Sequence, residues 1–358
     1  LIVGLSFGII CLIFLDPIFR VFVASNETLP YARSFMEVIL AGNVFSHMYF
    51  GMNAVLRAAS KPRHAMFATM FTVAMNILLD IIFIWWWHWG IRGAAFATII
   101  SQILALSWQM KLFSNKQELL HLKRGIYKLK ADLVKNIIGI GISPFLMNAC
   151  ACIIVIFMNN QFVKYGGDMA VGAYGIANSI STIFVMFVMG INQGMQPIAG
   201  YNYGAMKYER LMGVLKYSII AATLIMITGW LVATFLPYYC ARLFTTDQTL
   251  IALAIKGIRI NMLVFPIIGY QMVTTNFFQC IGKVKISIFL SLSRQLLFLL
   301  PLLITLPRWF GLDGVWYALP SSDFTAALVA MWIMTAYIRK FKVQFKQTTN
   351  GKQSENNH

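Results

Sequence analysis

The sequence predicts an all-α polytopic membrane protein built as two helical lobes. Three observations lead there: apolar runs of membrane length, a one-sided distribution of Lys and Arg, and an internal repeat. Hydrophobic residues make up 59% of the 358 and charged residues 11%. Runs of about 20 apolar residues, enough to cross a hydrocarbon core as a helix, recur along the chain. Ten spans can be drawn, at 1–22, 35–57, 64–87, 91–112, 133–158, 169–198, 214–239, 254–281, 286–306 and 314–338.

The net charge of +17 is explained by topology. Of the 29 Lys and Arg, 20 fall in the loops and ends of one membrane face: 3 at 57–63, 7 at 111–135, 3 at 207–216, 2 at 283–285 and 5 at 339–352. Arg20, Arg33, Arg92, Lys164, Arg242 and Arg308 mark the other face. Basic residues accumulate on the cytoplasmic side, so the loop at 113–132 and the C-terminus are expected there. No folded basic module remains outside the spans, which argues against a nucleic-acid partner.

The repeat is visible in the loops. R-A-A-S-K-P at 57–62 and W-G-I-R-G-A-A-F-A at 89–97 correspond to Q-C-I-G-K-V at 279–284 and F-G-L-D-G-V-W-Y-A at 310–318. Lys61 pairs with Lys283 and Gly93 with Gly314, at offsets of about 220 residues. The second copy starts near Lys130 and holds six spans, against four in the first. The repeat therefore predicts two helices upstream of Leu1. Six spans return a chain to its starting side, so the copies are expected as parallel repeats about an axis along the membrane normal, with substrate between them. The expected layout is an N-terminal lobe at 1–112, a basic cytoplasmic linker at 113–132, a C-terminal lobe at 133–340 and a disordered polar tail at 341–358.

Asp80 is the first candidate functional residue, a lone carboxylate within an apolar run that begins at Ala65. An ionised side chain at that depth costs at least about 2.5 kcal/mol. Asn76, four residues earlier, shares its helical face. Thr98, on the next span, is about 7 residues from the same turn, hence roughly 10 Å below the same membrane face. Three oxygen-bearing groups are expected at one level. Burial favours a neutral carboxyl, as a proton carrier requires, whereas a cradle of oxygens would suit sodium.

Further motifs are L-R-A with a basic turn at 56–61, N-x-x-x-D at 76–80, and G-x-x-G-A-A-x-A-T-x-x-S-Q at 90–102. Two more are Y-G-G-D-x-A-V-x-A-Y-G-I at 165–176 and G-x-x-Q-G-x-Q-P-x-x-G-Y-N-Y-G-A at 190–205. Together they resemble the MATE (multidrug and toxic compound extrusion) family, in its DinF-like and MepA-like bacterial branch. The resemblance implies a MATE/MOP-type fold of twelve helices, of which this chain holds ten, and antiport of organic, often cationic, compounds against H⁺ or Na⁺. In DinF-like members it implies coupling in the N-terminal lobe, carried here by Asn76, Asp80 and Thr98. The family's first-helix Asp has no counterpart in this sequence. The spans that carry acids in another branch, 135–158 and 255–279, have none.

Asn43 and His47 share a face of the second span, and His47 is a candidate proton relay. Asn53 lies nearer the cytoplasmic end. Asp323, the second intramembrane acid, is level with Arg294, which makes a structural pair the leading reading. Candidates for a substrate cleft are Met147, Asn148 and Met158 on the fifth span. The sixth span adds Asn178, Met186, Met189, Gln193 and Gln196, and the eighth adds Tyr270, Gln271 and Asn276; methionine and aromatic surfaces adapt to varied ligands. The small-xxx-small spacing of Gly190 and Gly194 suggests close helix packing, and Trp85, Trp86, Trp87 and Trp89 suggest an interfacial girdle.

The five cysteines lack paired metal spacing, and there is no Walker-type phosphate loop. The expectation is a transporter and not an enzyme. It would need no cofactor beyond a coupling ion, and would be monomeric in a bacterial inner membrane. The alternatives are a lipid-linked oligosaccharide flippase of the same superfamily, and a truncated form that transports nothing.

Overall fold

The computed structural model describes residues 2–17, 29–59, 61–114 and 130–355, with side chains as far as Arg339. Among the described residues the regular structure is helical throughout, without strands. The chain divides into two compact units, Leu1–Leu129 and Lys130–His358. Most of the expected linker, 115–129, and residues 18–28 lie outside the described residues.

The first unit contains α1 (Ile2–Ile13), α2 (Leu29–Ala58), α3 (Pro62–Asp80) and α4 (Gly90–Phe113). Pro62 opens α3, where its missing N–H leaves no bond unmade. At its far end α3 widens into a π turn, Ile81–Trp86, in which the Trp87 amide bonds the Ile82 carbonyl at 3.0 Å. His88 and Gly90 take left-handed φ values of 55° and 56° and turn the chain into α4. A buried stripe of small residues, Gly93, Ala95, Ala97, Ser101 and Ala105, lets α4 pack on both α2 and α3. On α2, a Cβ at Gly42 would come within 2.5 to 2.6 Å of Ile99 carbons, so glycine sets this helix approach.

In the second unit, α5 (Ala131–Gly204) is 74 residues long, roughly 110 Å as an unbroken helix. That exceeds any bilayer, and the run breaks at Gly167, whose φ of 67° and ψ of −170° are non-helical. There follow α6 (Tyr208–Phe235), the short α7 (Pro237–Arg242), α8 (Gln248–Asn261) and α9 (Phe265–Cys280). Next come α10 (Val284–Leu292), a second π turn at Ser293–Leu299, and α11 (Leu300–Glu355), broken at Gly311. The core runs through Met158, Phe162, Met226, Ile258, Phe277, Phe278 and Trp316, all at most 1% exposed. Within it α9 packs against α5, α6, α10 and α11.

Large apolar side chains are exposed along most of these helices, among them Phe67 at 60%, Trp85 at 77%, Phe187 at 60% and Trp332 at 74%. Apolar exposure on that scale suits a surface facing lipid. Pro62–Trp86, Gly90–Phe113 and Tyr208–Phe235 are each long and apolar enough to cross a membrane, as are the two broken runs.

Two local expectations are corrected. The span at 254–281 is a pair of helices bent by 54°, because Pro266 opens α9 where α8 has already ended. The span at 286–306 is helical and contains the π turn at Ser293–Leu299. Gly190 and Gly194 have open space where a Cβ would stand, so their spacing marks a shallow place on α5 and not a helix contact.

The repeat-related glycines share one role. A Cβ on Gly93 would meet the Phe83 backbone at 3.1 Å, and one on Gly314 would collide with the Leu306 carbonyl and the Pro307 nitrogen. Gly314→Ala should therefore lower stability by about 1–3 kcal/mol. Gly190→Ala, in open space, should raise it by up to about 1 kcal/mol. Thermal unfolding in detergent reads both, and equal behaviour of the two would refute the packing argument.

Candidate functional site

In the first unit, Asp80 is the last residue of α3 before the π turn. Its Oδ1 is buried and finds no hydrogen-bond partner among the described residues. One turn away, Asn76 Nδ2 donates to Thr98 Oγ1 at 3.4 Å, and Thr98 in turn donates to the Ala94 carbonyl at 3.0 Å. Asn76 and Thr98 are thus brought together across α3 and α4, with the Asp80 carboxyl on the Asn76 face and unengaged. A buried carboxylate oxygen without a donor is costly unless it holds a proton or a cation. π turns concentrate at functional positions in helices, and this one begins at the acid.

The other three candidates of the first unit are tied up elsewhere. Asn43 Nδ2 donates to the Gly4 carbonyl at 3.3 Å, and the His47 ring lies against Gly4 with its Nδ1 3.0 Å from the Asn43 carbonyl. Both therefore fasten α2 to α1. Asn53 is 3% exposed and fully engaged. It donates to the Ala65 carbonyl at 3.1 Å and to Thr69 Oγ1 at 3.2 Å, and accepts from Arg57 at 2.6 Å.

In the second unit, a cavity of about 130 Å³ opens between α5, α9 and the end of α10. Met147, Met189, Gln271 and Asn276 of the expected cleft line it, and so does Arg294. Asn192, Ser291 and Gln295 line it as well, and the sequence reading missed all three. Gln193 and Gln196 are exposed, as are Asn178 and Met186. The neighbouring Asn192 faces inward, one residue being a rotation of about 100° on a helix. Asn148 donates to its own helix at the Pro144 carbonyl, Tyr270 is partly buried beside the core, and Met158 is core. Arg294 donates to Asp323 Oδ1 at 3.1 Å, with the carboxyl side chain 13% exposed. Lys256, the other basic residue of interest in this unit, pairs with Asp313 where both are half exposed.

A family profile described as MatE matches residues 1–82 and 140–305. The chain is 28% identical over 334 residues to the multidrug export protein MepA of Staphylococcus haemolyticus, covering 93% of this chain and 73% of that one. Among solved structures, it resembles a MATE transporter in a bent conformation at a TM-score of 0.88 and 24% identity, covering 97% of this chain and 77% of the other. A MOP superfamily transporter from Pyrococcus furiosus matches at 0.88 and 25%, with 96% and 77% covered.

The bonds of Asn53 tie α2 to α3. Asn53→Leu should cost about 1–3 kcal/mol through the groups it strands. The expected readout is a lower unfolding midpoint in detergent with unaltered ion dependence; altered ion dependence at unchanged stability would place Asn53 in the coupling site instead.

Proposed function

This chain belongs to the MatE family and is a membrane transporter, not an enzyme; from that premise we propose that it exports organic compounds, often cationic, by antiport with H⁺ or Na⁺. The reading is carried by the Asp80 carboxyl, which has a buried oxygen without a partner in an apolar span, one turn from the Asn76–Thr98 bond. Such a group has two low-energy states, neutral with a proton or charged with a bound cation. Exchange between them at the two membrane faces is the elementary step of antiport. Asn76 and Thr98 supply the further oxygens a sodium ion would need, and hydrogen-bond stabilisation if a proton is carried. Alternation of access is proposed to follow from the paired repeat.

The membrane is proposed to be the bacterial plasma membrane, with the C-terminus cytoplasmic by the Lys and Arg distribution, and the protein to work as a monomer. The DinF-like and MepA-like branch is favoured by the match to MepA over 93% of the chain.

Purified protein in vesicles, given an imposed proton or sodium gradient and a fluorescent organic cation, tests the proposal. Wild-type protein should drive dye movement with one of the two gradients. Asp80→Asn should reduce it by at least about tenfold, the equivalent of about 1.4 kcal/mol in the barrier. Asn76→Leu should weaken it less. Gradient-driven movement that survives intact in Asp80→Asn would remove the acid from the mechanism.

A further inference from the structure

We propose that the outward seam between α3 and α4, at the membrane face marked by the basic loops, binds one anionic phospholipid of that leaflet. The inference needs only that the chain is a membrane transporter and is independent of the antiport reading. It starts from how the first unit treats charge at its two ends. At one rim each arginine has a carboxylate: Arg33 lies 2.9 Å from Glu37 and 3.4 Å from Asp16, and Arg92 lies 3.9 Å from Glu37. At the opposite end Arg57, Arg63 and Lys111 have no carboxylate partner among the described residues. The described acids of this unit are Asp16, Glu37 and Asp80, and Asp80 closes α3 at its far end whereas Arg63 lies in its first turn. Arg57 donates at 2.6 Å to the neutral Asn53, which makes a hydrogen bond and leaves the charge uncompensated.

The cations at this end stand over apolar stripes. Arg63 and Lys111 are both exposed. Below Arg63 on the same face of α3, Phe67 and Met70 are exposed, while Ala65 and Ala68 turn inward. Below Lys111 on α4, Trp108 and Leu104 are exposed, while Ala105 and Gln109 are buried. The two stripes run side by side, because the rings of His64 and Trp108 stack across the helices with centroids 6.3 Å apart and planes at 20°.

What fits the whole seam is a molecule with an anionic head and long chains. A phosphate diester can take charge-assisted hydrogen bonds from Arg63 and Lys111. Trp108 stands one turn below Lys111, at the headgroup level where indole rings settle, and the chains lie along the exposed apolar side chains beneath it. A soluble phosphate would leave those stripes uncovered. A zwitterionic lipid would bring its own ammonium against the cations, so the head carries net negative charge.

The test is native mass spectrometry of the purified full chain in detergent, titrated with phosphatidylglycerol or phosphatidylcholine and read as the dissociation constant of the first bound lipid. Wild type should bind phosphatidylglycerol at least about tenfold more tightly than phosphatidylcholine, and glycerol phosphate should not displace it. Arg63→Gln/Lys111→Gln should weaken phosphatidylglycerol at least about tenfold. Arg63→Lys/Lys111→Arg keeps both charges and should retain binding, which separates lost charge from damaged folding. Lys283→Gln/Lys285→Gln removes the same charge from the matched basic turn of the second unit and should leave the constant unchanged. Trp108→Ala should weaken both lipids alike. The proposal is overturned if wild type does not prefer phosphatidylglycerol, if the double glutamine variant at 63 and 111 binds it as tightly as wild type, or if the charge-conserving variant loses it. It is equally overturned if the second-unit variant loses as much, or if glycerol phosphate displaces the lipid. Binding is read without a gradient, so failure of gradient-driven dye movement in vesicles bears on the antiport proposal alone.

Discussion

The constraint on which the rest of this structure depends is the cost of charge in hydrocarbon. Backbone polarity is neutralised within helices, so what remains is a small number of ionisable side chains, and each unit treats its own differently. In the first, the acid at position 80 is left with an oxygen unpartnered. In the second, the acid at position 323 is matched by a guanidinium. At the rim of the first unit, Arg33 sits 2.9 Å from Glu37 and 3.4 Å from Asp16, where all three side chains are about half exposed and water does most of the solvation. A depth that allows water tolerates loose pairs, whereas a depth that excludes it demands either neutralisation or a bound ion.

Asp80 and Arg294 both lie at a departure from ordinary helix. Asp80 immediately precedes one π turn and Arg294 lies within the other. A π turn adds a residue to the helical circuit and rotates everything beyond it, so a side chain can be presented at an angle that regular geometry denies. The same departure disturbs the backbone ladder, with the Trp89 amide bonding the Phe83 carbonyl at 2.9 Å. A sequence keeps such a fault only where packing holds it. Here the wall is supplied by Gly93, which lies against the Phe83 backbone and lets α4 close on the turn.

The sequence made the gross plan legible for simple physical reasons. Membrane thickness fixes span length, translocation fixes the sign of loops, and a carboxylate in oil stands out against 59% hydrophobic composition. The meeting of Asn76 with Thr98 was also readable, because both positions count from the same turn. What stayed hidden depends on rotation and bending. A helix surrounded by lipid is apolar on every side, so periodicity does not reveal which face turns inward, and Asn192 could not be told from Gln193. Gln295 lies within the π turn at Ser293–Leu299, which leaves no periodic trace in the sequence. That Asn43 and His47 meet α1 at Gly4 is likewise a matter of tertiary packing, which spacing within one span does not reveal.

The two units share one local device and differ in how they treat charge. Gly93 and Gly314 each allow a backbone approach that a Cβ would block. An acid without a partner is open to a proton or a cation, whereas an acid held by a guanidinium has its charge already met within the protein. A single unit holding both would have to shield the acid from the guanidinium, since at a few ångströms in a low dielectric the two would collapse into a pair.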